Sequence, residues 1–179
     1  MLHGEQVLLR AFERADVETV TAFGLDPVTW RLADDGPYVP TTVADALKRF
    51  DAGELHKADD TYVPFVIDVG GEPVGGAALW GINLHNRRAH VGMALGPGAR
   101  GRGYGTDALR VLLRYAFLDR GLNRVQIETL ATNRGALAAA ARAGFVQEGV
   151  ARQDAWVEGR FVDQVVLSVL AGEWDGSPG

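Results

Sequence analysis

Apolar residues change their period along this chain, and the changes mark its elements. Residues 7–11 form a short apolar run suited to a first strand. Residues 16–25 follow as a helix with Asp16 placed as its N-cap. Residues 42–54 read as another helix, opened by Thr42 after Pro40 and closed near Gly53. Two strand-like runs, 62–69 and 73–80, flank Gly70-Gly71, a strong hairpin signal. A third strand, 90–95, leads into a glycine-rich stretch. The helix over 105–120 has the plainest pattern: Ala108, Leu109, Leu112, Tyr115 and Ala116 recur at helical spacing, and Gly121 stands at its C′ position. Residues 124–129 read as a strand, and 135–143, rich in alanine, as a helix of high intrinsic propensity. Residues 145–156 and 160–170 form a last strand pair turning at Glu158-Gly159. The pattern predicts one α+β domain over 1–179, with a β-α-β-α-β core in its second half.

Composition narrows the chemistry. The chain has 179 residues, 47% hydrophobic and 23% charged, the balance of a packed domain. It has no cysteine, which removes a thiol nucleophile, a disulfide framework and Cys-based metal sites together. Its four histidines are not at metal-ligand spacing, so no metal is expected. A net charge of −5 argues against nucleic acid or an anionic membrane as partner. No apolar run approaches the roughly 20 residues that span a bilayer. Glu5 and Arg10 interrupt the apolar core that a signal peptide needs. A cytoplasmic location is the resulting expectation.

The chemistry is carried by Arg100-Gly101-Arg102-Gly103-Tyr104-Gly105-Thr106, between a strand and a long amphipathic helix. Glycines let a backbone approach a ligand, and successive N–H groups converge on one point. The helix N-terminus adds partial positive charge, and the two arginines can reach phosphate oxygens. A P-loop would end in Gly-Lys-Ser/Thr, which is absent. A dinucleotide fingerprint has G-x-G-x-x-G after the first strand, whereas these glycines alternate in mid-chain. The third pattern is Arg-x-x-Gly-x-Gly, matched by Arg100, Gly103 and Gly105. A bare turn would gain nothing from its arginines.

That pattern is the one found in GNAT N-acetyltransferases, and the chain resembles their RimJ/RimL-like branch over almost its whole length. The resemblance rests on residues 4–10 (Gly-Glu-Gln-Val-Leu-Leu-Arg), on 86–92, on Asn133 and on Ala143-Gly144-Phe145. It extends to Glu148-Gly149-Val150, residues 156–160, Asp163 and Glu173-Trp174. It implies the GNAT fold, a mixed, mostly antiparallel sheet of about six or seven strands flanked by helices. It implies acetyl-coenzyme A as co-substrate, its pyrophosphate cradled by Gly101, Arg102, Gly103, Tyr104, Gly105 and Thr106 with Arg100 beside them. Met93, Ala94 and Leu95 would pair by backbone with the pantetheine arm, as an added strand pairs with a sheet edge. Asn133 would hydrogen-bond near that arm, or cap the helix that follows it, or both.

The implied reaction is direct attack of a neutral amine on a thioester, which needs a base and is helped by an acid. Two hydroxyl positions common in relatives are Ala136 and Ala140 here, so no acid is identified. His90, where relatives often have glutamate, and Glu128 are the candidate bases. Each has a plainer role open to it: His90 as a hydrogen-bonded strand residue, Glu128 as a partner for Arg124. Trp30, Asp34, Asp35 and Tyr38 form an acidic and aromatic stretch able to receive a cationic amine, with Trp156 on the last hairpin. The expected acceptor is a primary amine: a protein N-terminus, an aminoacyl compound or a small amine. The rivals are a non-catalytic acyl-coenzyme A sensor, which Ala136 and Ala140 favour, and a nucleic-acid module, which the acidic charge opposes. A homodimer through the last hairpin is open.

Overall fold

The computed structural model describes residues 1–33 and 36–176. Its first half runs β1 (Leu2–His3), β2 (Leu8–Arg10), α1 (Val17–Leu25), α2 (Pro27–Ala33), α3 (Val43–Asp51), β3 (Tyr62–Val69) and β4 (Glu72–Asn83). The second half runs β5 (Arg88–Leu95), α4 (Tyr104–Arg114), β6 (Arg124–Leu130), α5 (Arg134–Arg142), β7 (Val146–Val157) and β8 (Arg160–Leu170). The strands make one eight-stranded sheet in the order β1-β2-β3-β4-β5-β6-β8-β7. Among the described residues, only β5 and β6 pair in parallel. The strand beyond the expected number is β1, two residues long and too short to show a period. In the predicted β-α-β-α-β core, β8 intervenes between β6 and β7.

One face of the sheet presents Val63, Ile67, Leu79, Val91 and Val125 to Leu109, Leu112 and Ala116, all buried. That face is why the 105–120 pattern is so regular. The element itself is α4 followed by a π-helical turn, Tyr115–Asp119, and it ends before a left-handed Gly121 (φ 60°). On the opposite face, α1 sits against β4 and α2 against β5. Phe23 of α1 lies so close to Gly96 that a Cβ there would meet its ring at 2.7 Å. Helix α2 was not predicted. Its start follows from Asp26 before Pro27: the carboxylate accepts from the N–H of Thr29 at 2.9 Å, and proline needs no partner in a first turn.

Asp16 stands at the N-cap position of α1, as expected, but its side chain makes no cap hydrogen bond to that helix. It ends a short 3₁₀ turn, and its carboxylate takes both terminal nitrogens of Arg10 at 2.7 and 2.8 Å. Arg10 Nε donates to Asp68 at 2.8 Å, so a nearly buried arginine joins β2, β3 and the entry to α1. Removing one partner would leave two largely buried carboxylates uncompensated. Arg10→Ala is therefore expected to cost about 3–5 kcal/mol, read from urea melts. The Arg10 hydrogen bonds hold the Asp16 carboxyl below its ordinary value. The stability linked to Asp16 is thus complete above its unfolded pKa of about 3.9 and is lost as pH falls through the lower folded value. The gap between wild type and Arg10→Ala should therefore narrow below about pH 4.

A second clasp ties the N-terminal segment to α4. Buried Asp107 accepts from the backbone N–H groups of Glu5, Gln6 and Val7 at 3.1, 2.7 and 2.9 Å. Gly4 is required beside it, since a Cβ would lie 2.6 Å from the carboxylate. Asp107→Ala strands these donors, at a cost of roughly 1–3 kcal/mol. The check is a lower urea midpoint with faster hydrogen exchange over residues 4–7.

Candidate active site

Register creates an opening in the middle of the sheet. Strands β5 and β6 pair only over Arg88–His90 and Arg124–Gln126. Beyond that point β5 continues paired to β4, and β6 to β8. The edge of β5 over 91–95 that faces β6 therefore has no partner strand among the described residues. Met93, Ala94 and Leu95 line a cleft of about 410 Å³ there, with α5 as its other wall. A free strand edge at a cleft is an acceptor and donor row for an extended amide-bearing ligand.

The glycine turn closes one end of this cleft. Gly101 (φ 72°) and Gly103 (φ 90°) both take left-handed backbone, and Gly103 is the N-cap of α4. The first-turn N–H groups of a helix have no intrahelical acceptor, so those after Gly103 are available to an anion. A Cβ at Gly103 would come within 3.2 Å of Gln6 Nε2, and one at Gly105 within 3.1 Å of Met93 Cε. Gly101, Gly103, Gly105 and Thr106 line the cleft, and Tyr104 packs against the core.

The arginines divide. Arg100 lines the cleft, but its Nε donates to the Leu95 carbonyl at 3.2 Å and its guanidinium to Thr29 Oγ1. Asp26 lies 3.8 Å away. Arg100 thus ties the turn to α2. Arg102 is exposed at the turn, while Arg134 and Arg142 of α5 stand in the cleft wall. Among the described residues, no ion pair holds Arg102, Arg134 or Arg142. The two on α5 escaped the sequence reading because arginine on an alanine-rich helix has no distinguishing period. Asn133 accepts from the N–H of Ala136 at 3.1 Å as the N-cap of α5 and donates to the Leu32 carbonyl at 3.1 Å. The cap is realised, and Asn133 also lines the cleft. Ala136 lines it too, whereas Ala140 is wholly buried.

His90 and Glu128 come together. His90 is at the last β5–β6 pair and Glu128 is two residues beyond it on β6. His90 Nδ1 lies 3.9 Å from Glu128 Oε1, and it is buried without a hydrogen-bond partner. The imidazole stacks on Trp80 at a ring separation of 4.4 Å. Arg124 does not pair with Glu128. It pairs with Glu148, which also accepts from Ser168 at 2.7 Å, and these bonds hold the Glu148 carboxyl down to about 2. Glu128 accepts a hydrogen bond from Gln126 Nε2 at 2.6 Å and is partly exposed.

A larger cleft of about 590 Å³ opens on the α1–α3 side and shares Thr29, Met93 and Ala94 with the first. Trp30 lines it, donating Nε1 to the Gly36 carbonyl at 3.2 Å. Tyr38 packs edge-on to Trp30 and donates to the Leu25 carbonyl at 3.2 Å, outside the lining. Trp156 lines neither cleft. It is 59% exposed at the hairpin tip, against Phe161. Asp34 and Asp35 lie outside the described residues. Buried Thr29, at the junction of the two clefts, is a residue the sequence reading passed over; an Asp-Pro-x-Thr helix start would have found it.

A split parallel strand pair, with a glycine turn and helix N-terminus at its mouth, is the arrangement expected of the acyltransferase class that the sequence resembles. Residues 6–146 match the acetyltransferase (GNAT) domain, and the chain belongs to that family of acetyltransferases. A putative ribosomal N-acetyltransferase, YdaF, of Bacillus subtilis is 37% identical over 106 residues, 59% of this chain. That match spans 58% of the relative's length. In fold, the chain is similar to a spermidine N-acetyltransferase from Vibrio cholerae in complex with coenzyme A and spermine. The TM-score is 0.83 at 22% identity, covering 95% of this chain and 98% of the other. The ribosomal L7/L12 alpha-N-protein acetyltransferase RimL, in complex with coenzyme A, gives a TM-score of 0.82 at 20% identity, covering 97% of each. The RimJ/RimL-like resemblance and the sheet it implied accord with these findings. No helix among the described residues is long and apolar enough to cross a membrane.

Proposed function

We propose that this acetyltransferase moves the acetyl group of acetyl-coenzyme A to a primary amine within one ternary complex, and that His90 and Glu128 handle the proton. The observation that carries this reading is the unpartnered β5 edge over 91–95, flanked by the α4 N-terminus on one side and the His90–Glu128 pair on the other. When bound, the co-substrate supplies an activated acetyl thioester. The Gly101–Thr106 turn would hold its pyrophosphate by backbone N–H groups, with Arg102, Arg134 and Arg142 offering charge. The β5 edge would align its arm so that the acetyl group meets the junction of the two clefts near Met93 and Ala94. There the amine nitrogen forms a bond to the acetyl carbon as the carbon–sulfur bond breaks. The amine proton passes to the His90–Glu128 pair, directly or through water. With alanine at 136 and 140, the leaving thiolate is protonated by solvent.

The alanines also favour a second reading, an acyl-coenzyme A sensor that does not turn over. Calorimetric titration with acetyl-coenzyme A, followed by thiol release over an amine panel, separates the two. Binding with release supports transfer. Binding without release on every amine supports the sensor, and no binding overturns both.

A further inference from the structure

A polar string crosses the sheet face that carries His90 and Glu128. Arg124, Gln126 and Glu128 stand at alternate positions of β6, so their side chains share that face. Register places His90 of β5 on one side of Gln126 and Ser168 of β8 on the other. The string is anchored at its far end. Arg124 Nη1 donates to Glu148 Oε1 at 2.6 Å and to Ser168 Oγ at 3.0 Å, and Ser168 Oγ donates to Glu148 at 2.7 Å. The other terminal nitrogen of Arg124 donates to Gln126 Oε1 at 2.8 Å. A guanidinium has no acceptor, so only the oxygen of the Gln126 amide can face it. The amide nitrogen is thereby turned towards Glu128, where it donates to Oε1 at 2.6 Å. That same oxygen lies 3.9 Å from His90 Nδ1.

From this we infer that Gln126 is a positioning residue for acetyl transfer: oriented by Arg124, its amide holds the Glu128 carboxylate beside His90. The inference rests on the transfer reading above and adds a residue that touches neither substrate, since Gln126 lies outside the described lining of both clefts. A partly exposed glutamate has several rotamers open to it, and a proton-transfer group works only from the right place. A hydrogen bond to a charged acceptor is the stronger kind and selects one rotamer. Its donor must itself be fixed, and Arg124 does this. With Glu148 and Ser168 holding the guanidinium from β7 and β8, Arg124 stays in place while it orients the Gln126 amide.

The test compares Gln126→Leu and Gln126→Glu, each alone and combined with Glu128→Gln. Activity is thiol release from acetyl-coenzyme A with spermidine, 2-phenylethylamine or an Ala-Ala-Ala peptide amide, whichever the wild type turns over fastest. Gln126→Leu should lower kcat about tenfold, with KM for the amine and calorimetric affinity for coenzyme A within about twofold of wild type. Gln126→Glu should be slower still. It matches glutamine in shape and still accepts from Arg124, but it sets a second carboxylate against Glu128. A purely structural role predicts the opposite order, with the isosteric glutamate nearest to wild type. If Gln126→Leu melts below the assay temperature, Gln126→Glu carries the test alone. In the Glu128→Gln background, Gln126→Leu should change kcat by less than about twofold, because the group it positions is already gone. A wild-type rate in Gln126→Glu overturns the inference and leaves the transfer reading standing. The same follows from an equal loss in Gln126→Leu with and without Glu128→Gln. A wild-type rate in Glu128→Gln removes that residue from the transfer reading, and the inference falls with it. Coenzyme A binding without release on any amine overturns both.

Discussion

Gly103→Val should weaken acetyl-coenzyme A binding by about 100-fold while leaving a folded protein. The backbone at Gly103 has φ 90°, where a β-branched residue is a steric outlier. A Cβ there would also press on Gln6 Nε2, the side chain between the turn and the N-terminal segment. The turn must then relax towards a negative φ, which swings the N–H groups after it away from one convergent point. Hydrogen bonds to charged groups contribute roughly 1.5–3 kcal/mol each. Losing two of the weaker kind gives about 3 kcal/mol, or about 100-fold in affinity. Gly101→Ala is the control. It is also strained, at φ 72°, but a Cβ there meets nothing within 4 Å, so its loss should be much smaller. Calorimetric titration of the three proteins is the check. Equal affinity for wild type and Gly103→Val would remove the phosphate turn from the site, whatever its sequence.

Sequence periodicity exposes what lies against a large apolar face, and it fails where a few polar contacts decide. The 105–120 helix was plain because Ala108, Leu109, Leu112 and Ala116 all bury against the sheet. The glycine turn was plain because alternate glycines beside arginines at a helix start form a recognisable anion-binding pattern. The splay of β5 from β6 has no signature in the apolar pattern, because it depends on where pairing stops after His90, and pairing leaves no period. Asp16 illustrates a different failure. An aspartate before a helical pattern reads as an N-cap, but the side chain is claimed by Arg10 from a neighbouring strand. Local propensity cannot anticipate such a partner. Arg100 is similar: its motif suggests phosphate, whereas its guanidinium is bonded to Thr29 of a helix that itself went unpredicted. The His90–Glu128 approach needs both strand registers at once, so the residue types were visible separately and their pairing was not.

Removing either member of that pair should slow acetyl transfer by roughly 100-fold or more, the size of effect expected of a positioned base. Both His90→Ala and Glu128→Gln should leave the affinity for acetyl-coenzyme A unchanged, since neither residue belongs to the lining of the co-substrate cleft. The informative comparison is the double variant. If His90 and Glu128 pass the proton as one unit, it will be about as slow as the worse single variant. If they act separately, the two losses multiply. The imidazole is fixed by its stack on Trp80, and its buried Nδ1 lies 3.9 Å from a carboxylate with no other ion-pair partner among the described residues. That arrangement favours a unit, because His90 needs only a small shift of Glu128 to gain the hydrogen bond it lacks. The pH profile separates their roles. Loss of a limb in His90→Ala alone would place the proton on the imidazole, with Glu128 as its anchor. A limb that survives in His90→Ala and vanishes in Glu128→Gln would place the proton on the carboxylate, with His90 holding it in position.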